Sequence, residues 1–148
     1  MGTYTQENDK VELARSVMEA LAQRKDGDGK PDMVTTSQVR KFLTAVNTVT
    51  GKIEQYQNEH GGEKTISQEL AAQVKFLKVK LAYQIGRADK KSKDIRKASD
   101  YEKINDFEKK ADLMGAIDSI GVDAEKYREF ARYIEALVAF HKYYGGKD

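Results

Sequence analysis

Apolar residues recur along this chain every three or four positions, so it reads as a succession of amphipathic helices. Val11, Ala14, Val17, Met18 and Leu21 share one face of a first helix, expected from about Asp9 to Lys25. The turn-forming run Asp26-Gly27-Asp28-Gly29-Lys30-Pro31-Asp32 then predicts a loop. A second helix is expected from Thr35, which stands in capping-box spacing to Gln38. It carries Val39, Phe42, Leu43, Val46, Val49, Ile53 and Tyr56 and stops near Gly61-Gly62. The third starts at Thr65-Ile66-Ser67-Gln68, again in capping-box spacing, and buries Leu70, Val74, Leu77, Leu81 and Ile85. A polar, lysine-rich stretch follows to Lys97.

A fourth helix takes Ser99 and Glu102 as its capping pair, then carries Ile104, Phe107, Ala111, Leu113, Ile117 and Ile120 to a stop at Gly121. The fifth opens on Asp123 as N-cap and presents Tyr127, Phe130, Ile134, Leu137, Val138, His141 and Tyr144 before Gly145 ends it. Tyr133 and Phe140 make its apolar face the widest, which places it at the centre of the bundle. With no strand-like alternation and no repeat, the fold class expected is all-α, a compact bundle of about five helices. The 148 residues suit one domain, 1–148.

Composition narrows the chemistry. There is no cysteine, which removes disulfides, thiolate metal sites and cysteine nucleophiles together. No apolar run is long enough to cross a membrane and the first residues lack a signal-peptide core, so a cytoplasmic protein with no membrane partner is expected. The mean hydropathy of −0.73 reflects 34% charged residues. The net charge is only +2, but nine basic residues and two acids between Lys75 and Lys97 give that stretch +7 and leave −5 for the rest. Such polarity suits a polyanionic partner. A solvated helix followed by a basic loop accounts for the charge equally well.

Few constellations could do chemistry. The Asp26–Asp32 loop fails as a calcium site, because Lys30 and Pro31 stand where a ligand and the glycine belong and no glutamate closes it. His60 sits at a helix end and His141 on an apolar face, without clustered ligands, so no metal, cofactor or nucleophile is expected. The carboxylates are scattered, and no small-molecule substrate is implied.

The third helix is more informative. At about 100° per residue, Phe76, Lys80, Tyr83 and Arg87 form one stripe away from the core face. Alternating aromatic and basic residues can stack on bases and pair with phosphates. Alternatively, Phe76 and Tyr83 pack on a neighbouring helix while Lys80 and Arg87 form a solvated rim. Spacing alone leans toward packing. Lys75 and Lys78 lie elsewhere on the surface and widen the positive field. The start of the second helix, with Thr35, Thr36 and Ser37 followed by Arg40 and Lys41, is a further place to hold a phosphate, although most capped helix starts bind nothing.

Three blocks, in order, resemble the small-subunit family of type III-A CRISPR (Csm) effector complexes. They are VTTSQVRKFL at 34–43, FLKVKLAYQIGR at 76–87 and FARYIEALVAFHKYYGG at 130–146. Residues 34–146 form the family-like core, and 1–33, the N-terminal helix plus turn-rich loop, carry no family motif. The resemblance implies a non-catalytic helical subunit, several copies of which stack along a ribonucleoprotein. Its implied partners are guide RNA and target RNA, other Csm subunits and copies of itself. Carried onto matching positions, the RNA contacts implied are Arg40 and Lys41 in the first block and Lys78, Lys80 and Arg87 in the second. Lys75 and Lys142 are lesser candidates. The competing readings are a structural module that never touches nucleic acid and, with least support, a small hydrolase.

Overall fold

The computed structural model describes residues 2–87 and 95–146, with backbone alone over 95–100. These residues form seven helices: α1 (Thr3–Gln6), α2 (Lys10–Leu21), α3 (Thr36–Glu59), α4 (Gln68–Arg87), α5 (Ile95–Ala111), α6 (Leu113–Asp118) and α7 (Ala124–Tyr143). The chain is all-α over this range. The five long helices correspond to those expected from periodicity, α1 is additional, and α6 is the second part of the expected fourth helix. They close a ring in which α2 packs on α7, α7 on α3, α3 on α4, α4 on α5 and α5 back on α2.

Local chemistry sets the helix boundaries. Thr35 and Gln38 form the expected capping box, with Thr35 Oγ1 accepting from Gln38 N at 3.1 Å and Gln38 Oε1 from Thr35 N at 2.9 Å. Asp123 caps α7 by accepting from the backbone N–H groups of Glu125 and Lys126. Both α3 and α7 finish in a left-handed glycine, Gly61 (φ 66°) and Gly145 (φ 91°), where any side chain would be strained. The N–H of the next residue then reaches back to the Gln57 and His141 carbonyls at 2.8 and 2.7 Å.

Three boundaries differ from expectation. The cap of α4 is Ser67, whose Oγ accepts from Leu70 N, while Thr65 is drawn into an isolated bridge with Asp123. Ser99 does not open the fourth helix, since the backbone is already helical from Ile95. That helix is also broken, because Asp112 takes a left-handed conformation (φ 54°) between α5 and α6. The break has a visible use. Asp112 Oδ2 accepts the Tyr4 N–H at 2.9 Å, and the Tyr4 ring lies against Tyr133 with centroids 5.0 Å apart, docking α1 on the bundle. Helix α2 ends at Leu21, short of Lys25, because Asp26 Oδ1 collects the N–H groups of Asp28 and Lys30 in a tight turn.

The core is one cluster built on α7, whose Tyr127, Phe130, Tyr133, Ile134 and Leu137 are at most 1% exposed. From α2 come Leu13, Ala14, Val17, Met18 and Leu21. Val11, expected on that face, is instead 62% exposed and Leu13 takes its place, because the packed stripe is centred one position round the helix. Three polar tips of α7 are buried with their carbon frames, and each meets a carbonyl. Tyr127 Oη donates to Val46 O at 2.8 Å, Tyr133 Oη to Ala111 O at 2.8 Å, and His141 Nε2 to Val34 O at 2.7 Å.

Tyr127→Phe keeps the packing and removes both the Val46 bond and the 2.9 Å hydrogen bond between Tyr127 Oη and Thr50 Oγ1, so urea unfolding is expected to show a loss of about 1–2 kcal/mol. Alkali should attack the same sites. Burial pushes the Tyr127 phenol up from 10 to about 12, and raises Tyr133 and Tyr4 as well. Between those values the unfolded chain has lost protons that the folded chain keeps. Stability that is complete below pH 10 should therefore drain away as pH rises through that window. Tyrosinate absorbance recorded alongside helical circular dichroism is expected to show ionisation and unfolding arriving together.

Candidate nucleic-acid interface

Helices α3 and α4 run antiparallel, and their pairing brings distant parts of the sequence together. Lys52 Nζ donates to Gln73 Oε1 at 2.8 Å midway, and Gln84 Nε2 to Gln38 O at 2.9 Å where α4 ends beside the start of α3. At that end an open groove of about 350 Å³ runs between the helices, lined by Lys41, Thr44 and Thr48 from α3 and Lys80, Tyr83 and Arg87 from α4. The hydroxyls of Thr44 and Thr48 were not singled out from sequence. Their i, i+3, i+7 spacing from Lys41 marks the stripe, but only once α4 is known to lie beside it.

The stripe on α4 faces solvent. Phe76 is 53% and Tyr83 69% exposed, so the packing to which spacing leaned does not occur. The Arg87 guanidinium lies 5.9 Å from the Tyr83 ring centroid, the outer limit of a cation–π contact. Among the described residues, Arg40, Lys41, Lys75, Lys80 and Arg87 form no ion pair, and all are exposed. Several cations elsewhere are engaged. Arg15 is held by Glu12, Glu19 and Tyr144, and its hydrogen bond keeps the Glu12 carboxyl below the usual carboxylate range. Arg24 meets Asp32, Glu102 and Asp106, and Lys103 holds Asp32 at 2.8 Å.

The other candidates are placed less favourably. Arg40 is about 100° round α3 from Lys41 and does not line the groove. Lys78, about 200° from Lys80, turns to the opposite flank and pairs with Asp118 at 2.8 Å, tying α4 to α6. Lys75 is on the outer surface of α4. Lys142 belongs to the last turn of α7, whose His141 holds Val34 just before α3, so it shares the groove's end of the molecule without lining it. The Thr35 hydroxyl is taken by its capping box. Lys90, Lys91 and Lys93 lie outside the described residues, and Arg96 and Lys97 are described in backbone only.

Charge is segregated along the α3–α4 pair. Glu54, Glu59, Glu63 and Glu69, all exposed, gather at the far end, where α3 finishes and α4 begins. Helix α3 is about 36 Å long, several screening lengths, so the two ends present separate fields. A polyanion is attracted to one end and repelled by the other.

Comparison with known proteins agrees on one family. A model of the Csm2 type III-A family matches residues 15–147, beginning inside α2 and so ahead of the three sequence blocks. The chain is 33% identical over 150 aligned positions, covering 100% of both chains, to a CRISPR system Cms protein Csm2 of Streptococcus thermophilus. It is 29% identical over 132 positions, 89% of each chain, to a protein of that name from Mycobacterium tuberculosis. A third, from Enterococcus italicus, is 29% identical over 149 positions, 96% of this chain and 94% of the other.

Cations without partners in the fold contribute little to it. Lys41→Ala, Lys80→Ala and Arg87→Ala are each expected to change the unfolding free energy by less than about 0.5 kcal/mol. Lys103→Ala, which strips Asp32 of its nearest cation, should cost more, and urea titration of the four variants measures the difference.

Proposed function

The chain belongs to the type III-A Csm2 family, and on that premise we propose that it is a non-catalytic small subunit of a cytoplasmic type III-A CRISPR ribonucleoprotein in antiviral defence. It holds the guide–target RNA duplex through phosphate contacts and stands in several copies along the complex, beside other Csm subunits. The observation that carries this reading is the groove in which Lys41, Lys80 and Arg87 converge from two helices with no carboxylate among the described residues to neutralise them. Arg40 flanks it, Lys75 and Lys142 add to the surrounding field, and Lys78 faces the opposite flank in its pair with Asp118.

Lysine and arginine neutralise phosphates without reading bases, which suits recognition in which base pairing supplies the sequence information. An A-form duplex offers a protein chiefly its backbone, its 2′-hydroxyls and its shape. Groove hydroxyls from Thr44 and Thr48 suit the 2′-hydroxyls. A few phosphates per subunit give modest affinity, which copies in a row multiply. The residue inventory supports the absence of catalysis. His141 serves the core through Val34, and His60 bonds the Tyr56 carbonyl and stacks on the Tyr56 ring.

Binding of a guide–target duplex at several salt concentrations tests the proposal. Each of Lys41→Ala, Lys80→Ala and Arg87→Ala should weaken binding and flatten the plot of log affinity against log salt by about 0.9. Unchanged affinity and slope in a folded triple variant would leave the purely structural module as the reading.

A further inference from the structure

Three of the five large apolar side chains exposed among the described residues, Phe76, Val79 and Tyr83, occupy one face of α4. The fold does not require them there, because α4 already closes the ring through Leu70, Val74, Leu77 and Leu81. Two are aromatic, and cations separate them: Phe76, Lys80, Tyr83 and Arg87 follow at i, i+4, i+7 and i+11. No acid occurs between Leu70 and Arg87. A continuous duplex makes use of the cations but not the rings, since its bases are stacked on each other and present no free face. Single-stranded RNA offers what the whole stripe can take, base faces for the rings and phosphates for the cations between them.

Extending the RNA reading above, on which it rests, we propose that the α4 stripe is a single-strand site. One unpaired nucleotide stacks on Tyr83 and another on Phe76, about 10.5 Å away along the helix, and Lys80 holds a phosphate between them. Arg87, whose guanidinium lies 5.9 Å from the Tyr83 ring centroid, takes the next phosphate. The same molecule thus holds paired RNA without stacking and unpaired RNA by charge and stacking, and it favours the edges of a duplex over its middle.

The chain has no tryptophan, so Tyr83→Trp and Phe76→Trp each install a single fluorescent reporter on the stripe. An oligouridylate of about a dozen nucleotides should quench both indoles, and a blunt RNA duplex of the same length should leave them nearly unchanged. In the unlabelled protein, Tyr83→Ala and Phe76→Ala should weaken single-strand binding about tenfold more than duplex binding, whereas Lys80→Ala weakens both. Equal quenching by the two RNAs, or equal losses for both in the alanine variants, overturns the single-strand site and leaves the duplex clamp standing. Aromatic variants that leave single-strand affinity untouched also overturn it and assign the ridge to a protein neighbour. A wild-type chain that binds neither RNA overturns the clamp and the stripe together.

Discussion

Tyr127, Tyr133 and His141 carry polar groups into the interior on α7, and each donates to a main-chain carbonyl of a neighbouring segment. A buried donor without a partner costs several times what a satisfied one contributes, so these bonds act mainly as constraints. Tyr127 meets Val46 and His141 meets Val34, so 14 residues of α7 are matched against 12 residues running the other way through α3 and its lead-in. Two such points fix both orientation and register. Sliding α7 by one turn would keep an apolar contact, but it would leave both donors unpaired. Tyr133 does the same for α5, taking the Ala111 carbonyl that the break at Asp112 would otherwise leave without a helical partner.

The candidate site depends on that register although it touches none of these residues. With α3 pinned to α7, α4 has one antiparallel berth, set by the Lys52–Gln73 and Gln84–Gln38 hydrogen bonds. Only there do Lys80 and Arg87 come opposite Lys41. Displacing α4 by a turn would shift Lys80 and Arg87 about 5.4 Å along α3 and take them out of register with Lys41. A rigid interior therefore keeps the surface charges apart, and that separation gives the groove its field.

Much of the fold was legible in the sequence because one physical rule, burial of a periodic apolar face, governs most of it. Capping residues that act locally, Thr35, Asp123 and the glycines after α3 and α7, were legible for the same reason. What escaped was decided by distant parts of the chain. Asp112 breaks a helix because Tyr4, more than 100 residues away, offers it an N–H. Thr65 gives up its capping role to pair with Asp123. Phe76 and Tyr83 could be placed on a stripe, but whether another helix covers a stripe is a tertiary fact. Lys41 and Arg87 belong to one groove only because a hairpin of long helices returns the chain to its starting end.

Most of the ion pairs among the described residues lie around α2 and α5. On the α2 and α5 side, Arg15, Arg24 and Lys103 are matched with acids that join the N-terminal helix, its loop and α5. Such exposed pairs contribute little each, but they discharge the surface where they occur. On the α3–α4 side the cations of the groove have no acidic partner among the described residues, and the chain carries no acid from Leu70 to Arg87. A protein needing only solubility gains nothing from sorting its charges this way, since mixed signs serve as well. Exposed aromatic rings set among the unmatched cations compound the departure, because each ring forgoes burial that the fold could have used. A ligand with phosphates and flat faces would make both features favourable together.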